Sequence, residues 1–248
     1  MIHEQASGHV DAPVSDRRSR KRQARIEGIL DMAMALLSEG GLDALTTHAL
    51  AKRLDLSVGA LYRYFPSKGA IIAALERRVV AELGAELGEI LERAERHWSA
   101  CSDDWARLAS IIAVAAGFRE RAAARPERMR LIGRIMAEPD HVLPREEGER
   151  VISDALGLLM VLKAPFDKAT ATGVFREGDG FLRPLLFWSG LRSVMQTFKL
   201  ETFAPTVIRP TALYDGMVDS LLCGWGAAPA AVARARREVE TWRANMES

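Results

Sequence analysis

The fold is decided by residues 45–71, which read LTTHALAKRLDLSVGALYRYFPSKGAI. A threonine, Thr46 or Thr47, opens a short run with apolar residues at helical spacing, because a hydroxyl there accepts a hydrogen bond from the free N–H groups of a helix start. The connection DLS then opens a second run of about seven residues, Val58 to Tyr64, which ends before Pro66 because proline disfavours a helical residue in front of it. Two short helices joined by about three residues have the dimensions of a helix-turn-helix.

The second helix of such a motif lies in the DNA major groove, and helical periodicity assigns its faces. Its inner side carries Val58, Leu61 and Phe65. Its outer side carries Gly59, Ala60 and Arg63. Two residues with almost no side chain let the helix axis approach base edges, and the guanidinium of Arg63 offers a bidentate fork to guanine. We therefore predict that Arg63 contacts a base.

Hydroxyl and basic side chains around this helix suit phosphate oxygens, which position a protein on DNA without specifying sequence. The predicted DNA-binding surface comprises Thr46, Thr47, His48, Ser57, Val58, Gly59, Ala60, Tyr62, Arg63, Tyr64 and Lys68. For the tyrosines, packing at the rim of the core is the alternative to phosphate contact. Helical direction favours that alternative more for Tyr62, which borders the core, than for Tyr64.

Residues 20–75 resemble the N-terminal DNA-binding domain of TetR/AcrR-type transcriptional regulators. The resemblance rests on the capped helix, the recognition helix SVGALYRYF and the PSK entry to the next helix. It implies an all-helical homodimer with a C-terminal ligand-binding and dimerisation domain, and allosteric release from a palindromic operator. His48 stands where the family often has arginine, so we expect a weaker or pH-dependent phosphate contact there, with a solvated surface residue as the alternative.

The charge of the chain is unevenly distributed, although its formal total is only +1. Residues 17–68 hold ten basic and five acidic side chains, whereas the remainder holds 24 basic and 28 acidic ones. A basic head of this kind attracts polyanions. Its first cluster, Arg17 to Arg25, resembles the family's N-terminal extension, which reaches the minor groove or phosphates. A loose, solvated tail is the alternative.

The rest of the chain is also predicted to be helical, with about ten helices in all and no strand. Gly40 and Gly41 stop a first amphipathic helix over residues 18–39, and Ser67 caps a long helix with one apolar stripe. Pro165 is expected to break a later helix or to turn it into a short continuation. We therefore expect an all-α fold with a disordered leader (1–16), a three-helix helix-turn-helix domain (17–68) and a larger helical effector-binding and dimerisation domain (69–248).

Two strongly apolar segments, 181–200 and 210–226, carry apolar residues on more than one face and therefore need a second burial partner. Together with the resemblance, this predicts a homodimer through these segments. Its candidate contacts are Leu185, Leu186, Trp188, Leu191, Met195, Met217, Leu221 and Trp225. A fully intramolecular core is the alternative. A two-fold dimer would present two recognition helices to a palindromic operator in double-stranded DNA.

The resemblance also implies a pocket for a small-molecule effector in the C-terminal domain. The large, soft side chains available to line it are Trp98, Trp105, Phe118, Met136, Phe166 and Trp188. Ordinary core packing is the alternative for each of them. Scarce charge at these positions favours an apolar or aromatic ligand. Candidate polar anchors are His97, Arg134 and His141, for which the alternative is a surface position.

Composition and motifs disfavour other classes of protein. Cys101 and Cys223 stand far apart without zinc or disulfide spacing, so a reducing, cytoplasmic location is expected. No apolar stretch approaches the roughly 20 residues of a membrane span. No nucleotide-binding, zinc-protease or nucleophile-elbow motif is present, so neither an enzyme nor a metal or cofactor site is expected. An enzyme with a pocket not visible from sequence, and a helix-turn-helix activator or weakly specific DNA packer, remain as alternatives.

Overall fold

The computed structural model describes residues 14–137 and 145–247, with side chains for 17–133 and 145–246. All regular structure in these ranges is helical, as the sequence predicts, and no strand occurs within them. The N-terminal part contains α1 (Val14–Ala44), α2 (Thr47–Arg53) and α3 (Val58–Tyr62). The larger body contains α4 (Lys68–His97), α5 (Asp104–Ala124), α6 (Pro126–Ala137), α7 (Arg145–Ala171), α8 (Leu182–Thr197), a 3-10 helix (Phe198–Thr202), α9 (Pro210–Gly224) and α10 (Pro229–Glu247).

Helix α1 begins earlier than the sequence predicts and is interrupted where the sequence predicts. It starts at Val14, so residues 14–16 of the expected leader are helical, whereas residues 1–13 lie outside the described part of the chain. At its other end Gly41 has a φ of 69°, in the left-handed region that glycine adopts without steric cost. Helical geometry is lost at Gly40 and Gly41, and the chain turns there towards α2.

Side-chain hydroxyls cap the three helices that follow. The oxygens of Thr46, Ser57 and Ser67 each accept a hydrogen bond from the backbone N–H three residues later, at 3.0, 3.1 and 3.0 Å. Each bond satisfies one of the N–H groups that a helix start leaves free. The prediction that Thr46 or Thr47 caps α2 is confirmed for Thr46.

Helix α3 is shorter than predicted, because it ends at Tyr62 rather than at Tyr64. The N–H of Tyr64 donates to the carbonyl oxygen of Leu61 at 2.9 Å, a three-residue hydrogen bond that is tighter than the α-helical one. Arg63 is therefore the C-cap of α3, although its φ of −70° and ψ of −20° remain helical.

Helix α2 is held against α1 by an ion pair. The guanidinium of Arg53 donates to both carboxylate oxygens of Glu39, to one of them at 3.0 Å, and this hydrogen bonding lowers the pKa of Glu39. The turn after α2 places Asp55 at a φ of 52°, a conformation that aspartate tolerates better than most residues other than glycine. The ion pair thus joins α1 to α2, and the turn at Asp55 connects α2 to α3.

Helix α4 joins the two parts of the molecule. It packs on α1, α5 and α7. Six residues of its predicted apolar stripe are buried, and the seventh, Ile90, is partly buried and packs against the core. The six are Ile72, Leu75, Val79, Leu83, Leu87 and Ala94. One hydrophobic core extends from Ile29 in α1 to Trp242 in α10. The predicted border at residues 68–69 therefore lies at the start of a helix that both parts share, and not in a linker.

Pro165 does not break α7, which continues from Arg145 to Ala171. Of the two predicted alternatives, continuation is confirmed. Proline removes one N–H donor from the helical ladder. Both Pro165 and Phe166 are buried in the core, and the burial of this apolar surface compensates for the missing hydrogen bond.

Helices α8, α9 and α10 complete the body: α8 packs on α7 and α9, and α10 packs along α5. Gly190 permits the close crossing of α8 and α9, since a Cβ there would lie 2.8 Å from the sulfur of Met217. The start of α8 is fixed by Asp179, whose carboxylate accepts from the N–H groups of Phe181 and Leu182 at 2.7 and 3.1 Å. These two bonds lower the pKa of Asp179.

Candidate nucleic-acid interface

The outer side of α3 is open, as periodicity predicts. A Cβ on Gly59 would meet no atom within 4 Å. Arg63 is exposed and forms no hydrogen bond or ion pair within the described part of the chain. On the inner side Leu61 and Phe65 are buried, and the partly buried Val58 packs against them as part of the core. The outer surface of α3 therefore has almost no side chain at Gly59 and lies next to the unpaired guanidinium of Arg63.

Two residues that are predicted to contact phosphate, Thr46 and Ser57, also cap helices. Thr46 and Ser57 accept the cap hydrogen bonds of α2 and α3, and each hydroxyl still has its own proton to donate. Both residues are exposed. Each helix start also leaves further backbone N–H groups free beside the capping residue, and such groups suit phosphate oxygens. Thr47 is partly buried beside them, and His48 is exposed.

The two tyrosines lie the other way round from the prediction. Tyr62 is 45% exposed, whereas Tyr64 is partly buried and packs against the core. The prediction assumed a regular helix up to Tyr64, but the tighter turn after Tyr62 rotates the following residues relative to that helix. Tyr62 is consequently the better placed of the two for phosphate contact.

The basic cluster at the N-terminus is part of α1 and not a loose tail. Its six basic side chains are Arg17, Arg18, Arg20, Lys21, Arg22 and Arg25, all in the first turns of the helix. The guanidinium of Arg22 lies over the ring of Tyr64, 6.0 Å from its centroid. This contact places the first turns of α1 on the same side of the molecule as the end of α3. These basic side chains therefore lie on a helix and not on an extended arm.

Two basic side chains of the region have partners that the sequence does not reveal. Arg53 pairs with Glu39, and the Lys68 ammonium donates to the carbonyl oxygen of Leu42 at 3.3 Å. Both partners are distant in the sequence, so no local spacing rule identifies them. Lys68 keeps two further N–H donors and remains exposed, whereas Arg53 is engaged in positioning α2.

The predicted effector-binding side chains do not form one site. Trp98 lines a cavity of about 120 Å³. Trp105 packs edge-on against Trp98 and donates its indole N–H to Asp103 at 2.8 Å. The predicted anchor His97 stacks on Trp242 at 5.9 Å.

The other predicted side chains are surrounded by aromatic neighbours. Phe118 packs on Trp188 at 4.9 Å between ring centroids, and Phe166 packs among Phe175, Phe187 and Trp225. The five predicted residues whose side chains are described, Trp98, Trp105, Phe118, Phe166 and Trp188, are all buried. The side chains of Met136 and Arg134, and the whole of His141, lie outside the described residues.

Helices long and apolar enough to cross a membrane are absent from residues 14–137 and 145–247.

Comparison with known proteins identifies the helix-turn-helix segment. The model of the family described as bacterial regulatory proteins, tetR family, matches residues 29–75. The HTH-type transcriptional repressor KstR of Mycobacterium tuberculosis is 38% identical over 90 residues, which are 36% of this chain and 38% of the repressor. The nucleoid occlusion factor SlmA of Haemophilus ducreyi is 46% identical over 56 residues, which are 22% of this chain and 28% of that protein. The chain thus matches less than half the length of these relatives.

Solved structures extend the similarity to most of the chain. A transcriptional regulator of the TetR family from Agrobacterium tumefaciens has a TM-score of 0.58 at 18% identity, over 83% of this chain and 100% of that one. The TetR family regulator PfmR from Thermus thermophilus has a TM-score of 0.50 at 24% identity, over 78% of this chain and 96% of that one. At such identities the similarity to these two structures shows the fold. Of the two relatives and two structures compared, none is named as an enzyme. The helix-turn-helix segment, residues 29–75, thus matches the tetR family of bacterial regulatory proteins, and most of the chain has the fold of solved regulators of that family.

Proposed function

We propose that the chain is a sequence-specific transcriptional regulator, a repressor that a small, mostly apolar ligand releases from a palindromic operator. The observation that carries the proposal is the open outer side of α3. A Cβ on Gly59 would meet no atom within 4 Å there, and Arg63 has no partner within the described residues. A bare strip next to a free guanidinium is what close approach to base edges requires. The relative KstR, which is named a transcriptional repressor, supports the choice of repressor over activator.

The surroundings of α3 support binding to a double-stranded DNA backbone. The exposed hydroxyls of Thr46 and Ser57 stand at two helix starts, and the basic first turns of α1 lie beside the end of α3. Contacts of these kinds to phosphates would fix the register of α3 in the groove. Arg63 would then determine which base is preferred at one position of each half-site.

A homodimer through α8 and α9 is supported by an exposed apolar surface. Leu182, Leu185 and Leu186 recur at helical spacing on α8 and are 49%, 39% and 44% exposed. Leu213 on α9 is also 39% exposed. Exposed leucines that share one helix face are typical of an interface. Trp188 and Leu191, which we named as candidate contacts, are buried within the single chain and belong to its own core.

The contacts of α4 and α6 suggest how a ligand in the body would reach α3. The guanidinium of Arg78 in α4 lies 2.7 Å from the carboxylate of Asp31 and 3.6 Å from that of Glu27, both in α1. Leu131 of α6 lines a cleft with Gly40 and Gly41 at the break in α1. A shift of α4 or α6 would therefore move α1 and change the distance between the two recognition helices of a dimer.

The experiment that tests this function is selection of bound duplexes from random DNA, followed by a screen of metabolites for release. We expect a short palindrome with two half-sites about one or more helical turns apart. We also expect release by at least one small molecule. Unpatterned coating of DNA would contradict the regulator and favour a weakly specific DNA packer. A palindrome without any releasing ligand would leave the DNA-binding claim standing and contradict the release.

A further inference from the structure

A cavity of about 120 Å³ lies in the body between the end of α4, the start of α5 and α7. Its floor is formed by buried side chains of Trp98, Ala106, Ser110 and Pro165. The exposed residues Ser99 and Lys168 stand at its rim. For comparison, an engineered apolar cavity of about 150 Å³ binds benzene. The cavity therefore has the volume of a small organic molecule and is more than a gap for one water.

One charge in this cavity has no counterion. The charged residues that line it are Glu95, Arg107 and Lys168, and the carboxylate of Glu95 pairs with the Lys168 ammonium at 3.4 Å. Arg107 forms no ion pair or hydrogen bond within the described residues, and its Nε is buried without an acceptor. A guanidinium stays ionised at every physiological pH, so a buried donor of this group needs an acceptor from elsewhere.

A second polar group points to the same ligand chemistry. Ser110 lies one helical turn beyond Arg107 on α5, is only 5% exposed, and its hydroxyl has no hydrogen-bond partner within the described residues. A guanidinium and a hydroxyl on one helix face can donate together to the oxygens of a carboxylate.

The apolar wall of the cavity is held in place by neighbouring rings. Trp98 packs against Trp105 and Trp242, at 6.3 and 5.3 Å between ring centroids. With Ala106 and Pro165 it presents hydrocarbon surface beside the two polar donors. A ligand that fits has one anionic end and a compact apolar body.

We propose that this cavity binds a small organic carboxylate, with its oxygens on Arg107 and Ser110 and its hydrocarbon body against Trp98. The assignment adds a charged end to the mostly apolar ligand of the proposed function. Its role in releasing DNA rests on that proposed function, whereas the binding itself rests on the cavity alone. An organic acid of this size is ionised near neutral pH and would supply the acceptor that Arg107 lacks.

The binding is tested by titration calorimetry on the full chain with benzoate, hexanoate, neutral benzamide and inorganic phosphate as probes. We expect saturable binding of at least one of the two carboxylates and none of benzamide. Arg107→Gln should weaken it about tenfold or more, and Ser110→Ala several-fold, because each loses a hydrogen bond to a charged group. Arg96→Gln, which removes an exposed arginine of α4 outside the cavity, should leave the affinity unchanged.

Three outcomes would overturn the proposal. The first is that neither carboxylate binds saturably. The second is that a folded Arg107→Gln variant binds the carboxylate as tightly as the unchanged protein. The third is that phosphate binds while neither carboxylate does. Folding is checked by the unfolding midpoint of each variant, and Ser110→Ala gives a second reading if Arg107→Gln is unstable. Operator release is measured separately with the same probes. Arg107-dependent binding without release would uphold the site and contradict only its coupling to DNA.

Discussion

Arg63 is the residue on which base recognition depends in this account, because it is the guanidinium that the end of α3 leaves exposed and unpaired among the described residues. We predict that Arg63→Ala weakens operator binding by about 1–3 kcal/mol and relaxes the base preference at one position of each half-site. Lys68→Ala, which removes a predicted phosphate contact, should weaken binding on all sequences alike. Measured affinities for a set of single-base operator variants distinguish these patterns. A uniform loss in Arg63→Ala would show that Arg63 contacts only phosphate.

Glu76 should make the stability of the protein depend on pH. It is 1% exposed within α4, and neither of its carboxylate oxygens has a hydrogen-bond partner in the described structure. Burial raises its pKa from the ordinary value of 4.5 to about 8. Between these two values the folded chain holds a proton that the unfolded chain releases. The free energy of unfolding therefore falls as the pH rises from about 4.5 to about 8, by at most about 1.4 kcal/mol per pH unit.

Glu76→Gln should remove this dependence, because a neutral amide binds no proton in either state. Urea unfolding across that pH range checks the prediction, and Glu89→Gln, an exposed glutamate of the same helix, is the matched control. The same slope in Glu76→Gln and in the unchanged protein would show that another group is responsible.

At the residue scale, the sequence predicted the inner and outer faces of α3 because helical periodicity holds as long as the helix is regular. It misplaced Tyr62 and Tyr64, since the turn after Tyr62 tightens and periodicity no longer applies. The burial of Glu76 could have been predicted from the sequence, because Glu76 falls within the apolar stripe of α4 between Ile72 and Val79. The cavity at Arg107 could not, because α7, which is distant in the sequence, forms it together with the end of α4 and the start of α5.

At the scale of the helix, the first turns of α1 are the element that should make DNA binding strongly salt dependent. One of their basic side chains, Arg22, lies over the ring of Tyr64 at the end of α3. Each phosphate contact contributes about −0.9 to the slope of log affinity against log salt. The double variant Arg18→Ala with Lys21→Ala should flatten that slope by up to about twice this amount.

Titrations of the operator at several salt concentrations measure the slope directly. Arg96→Ala with Arg237→Ala removes the same charge from exposed positions of α4 and α10 and should leave the slope unchanged. If both double variants flatten it equally, net charge and not contact by α1 is responsible.

Helix boundaries were predicted well where capping residues mark them, as Thr46 and Ser67 do for α2 and α4. They were predicted less well where tertiary packing decides. The burial of Pro165 and Phe166 carries α7 through a residue that usually ends a helix. The early start of α1 at Val14 likewise has no capping signal in the sequence that we recognised.

At the scale of the whole molecule, dimerisation should depend on the exposed leucines of α8. Leu182→Glu with Leu186→Glu places two charges on that face without touching the core, so we expect a folded monomer with poor operator affinity. Light scattering and unfolding curves check both parts of this prediction. Such a pair is a better test than removal of the chain after Leu200, which would also remove the buried core residues of α9 and α10.

The matched control is Ile152→Glu with Leu156→Glu on α7, where the side chains are exposed to a similar degree, 51% and 42%. That variant should remain a dimer. Dissociation of the control together with an intact dimer in the α8 variant would place the interface on α7 and contradict our assignment.

If α3 binds with its outer side against the bases, that side must stay free of large side chains, and Gly59→Leu tests this requirement. A side chain there would point into open space, and leucine is a better helix former than glycine by about 0.5–1 kcal/mol. We therefore predict a protein that is at least as stable as the original but binds its operator at least about tenfold more weakly. Gly148→Leu, a substitution into open space on α7, should leave operator binding unchanged. Unaltered operator affinity in a folded Gly59→Leu protein would show that the outer side of α3 does not lie against DNA.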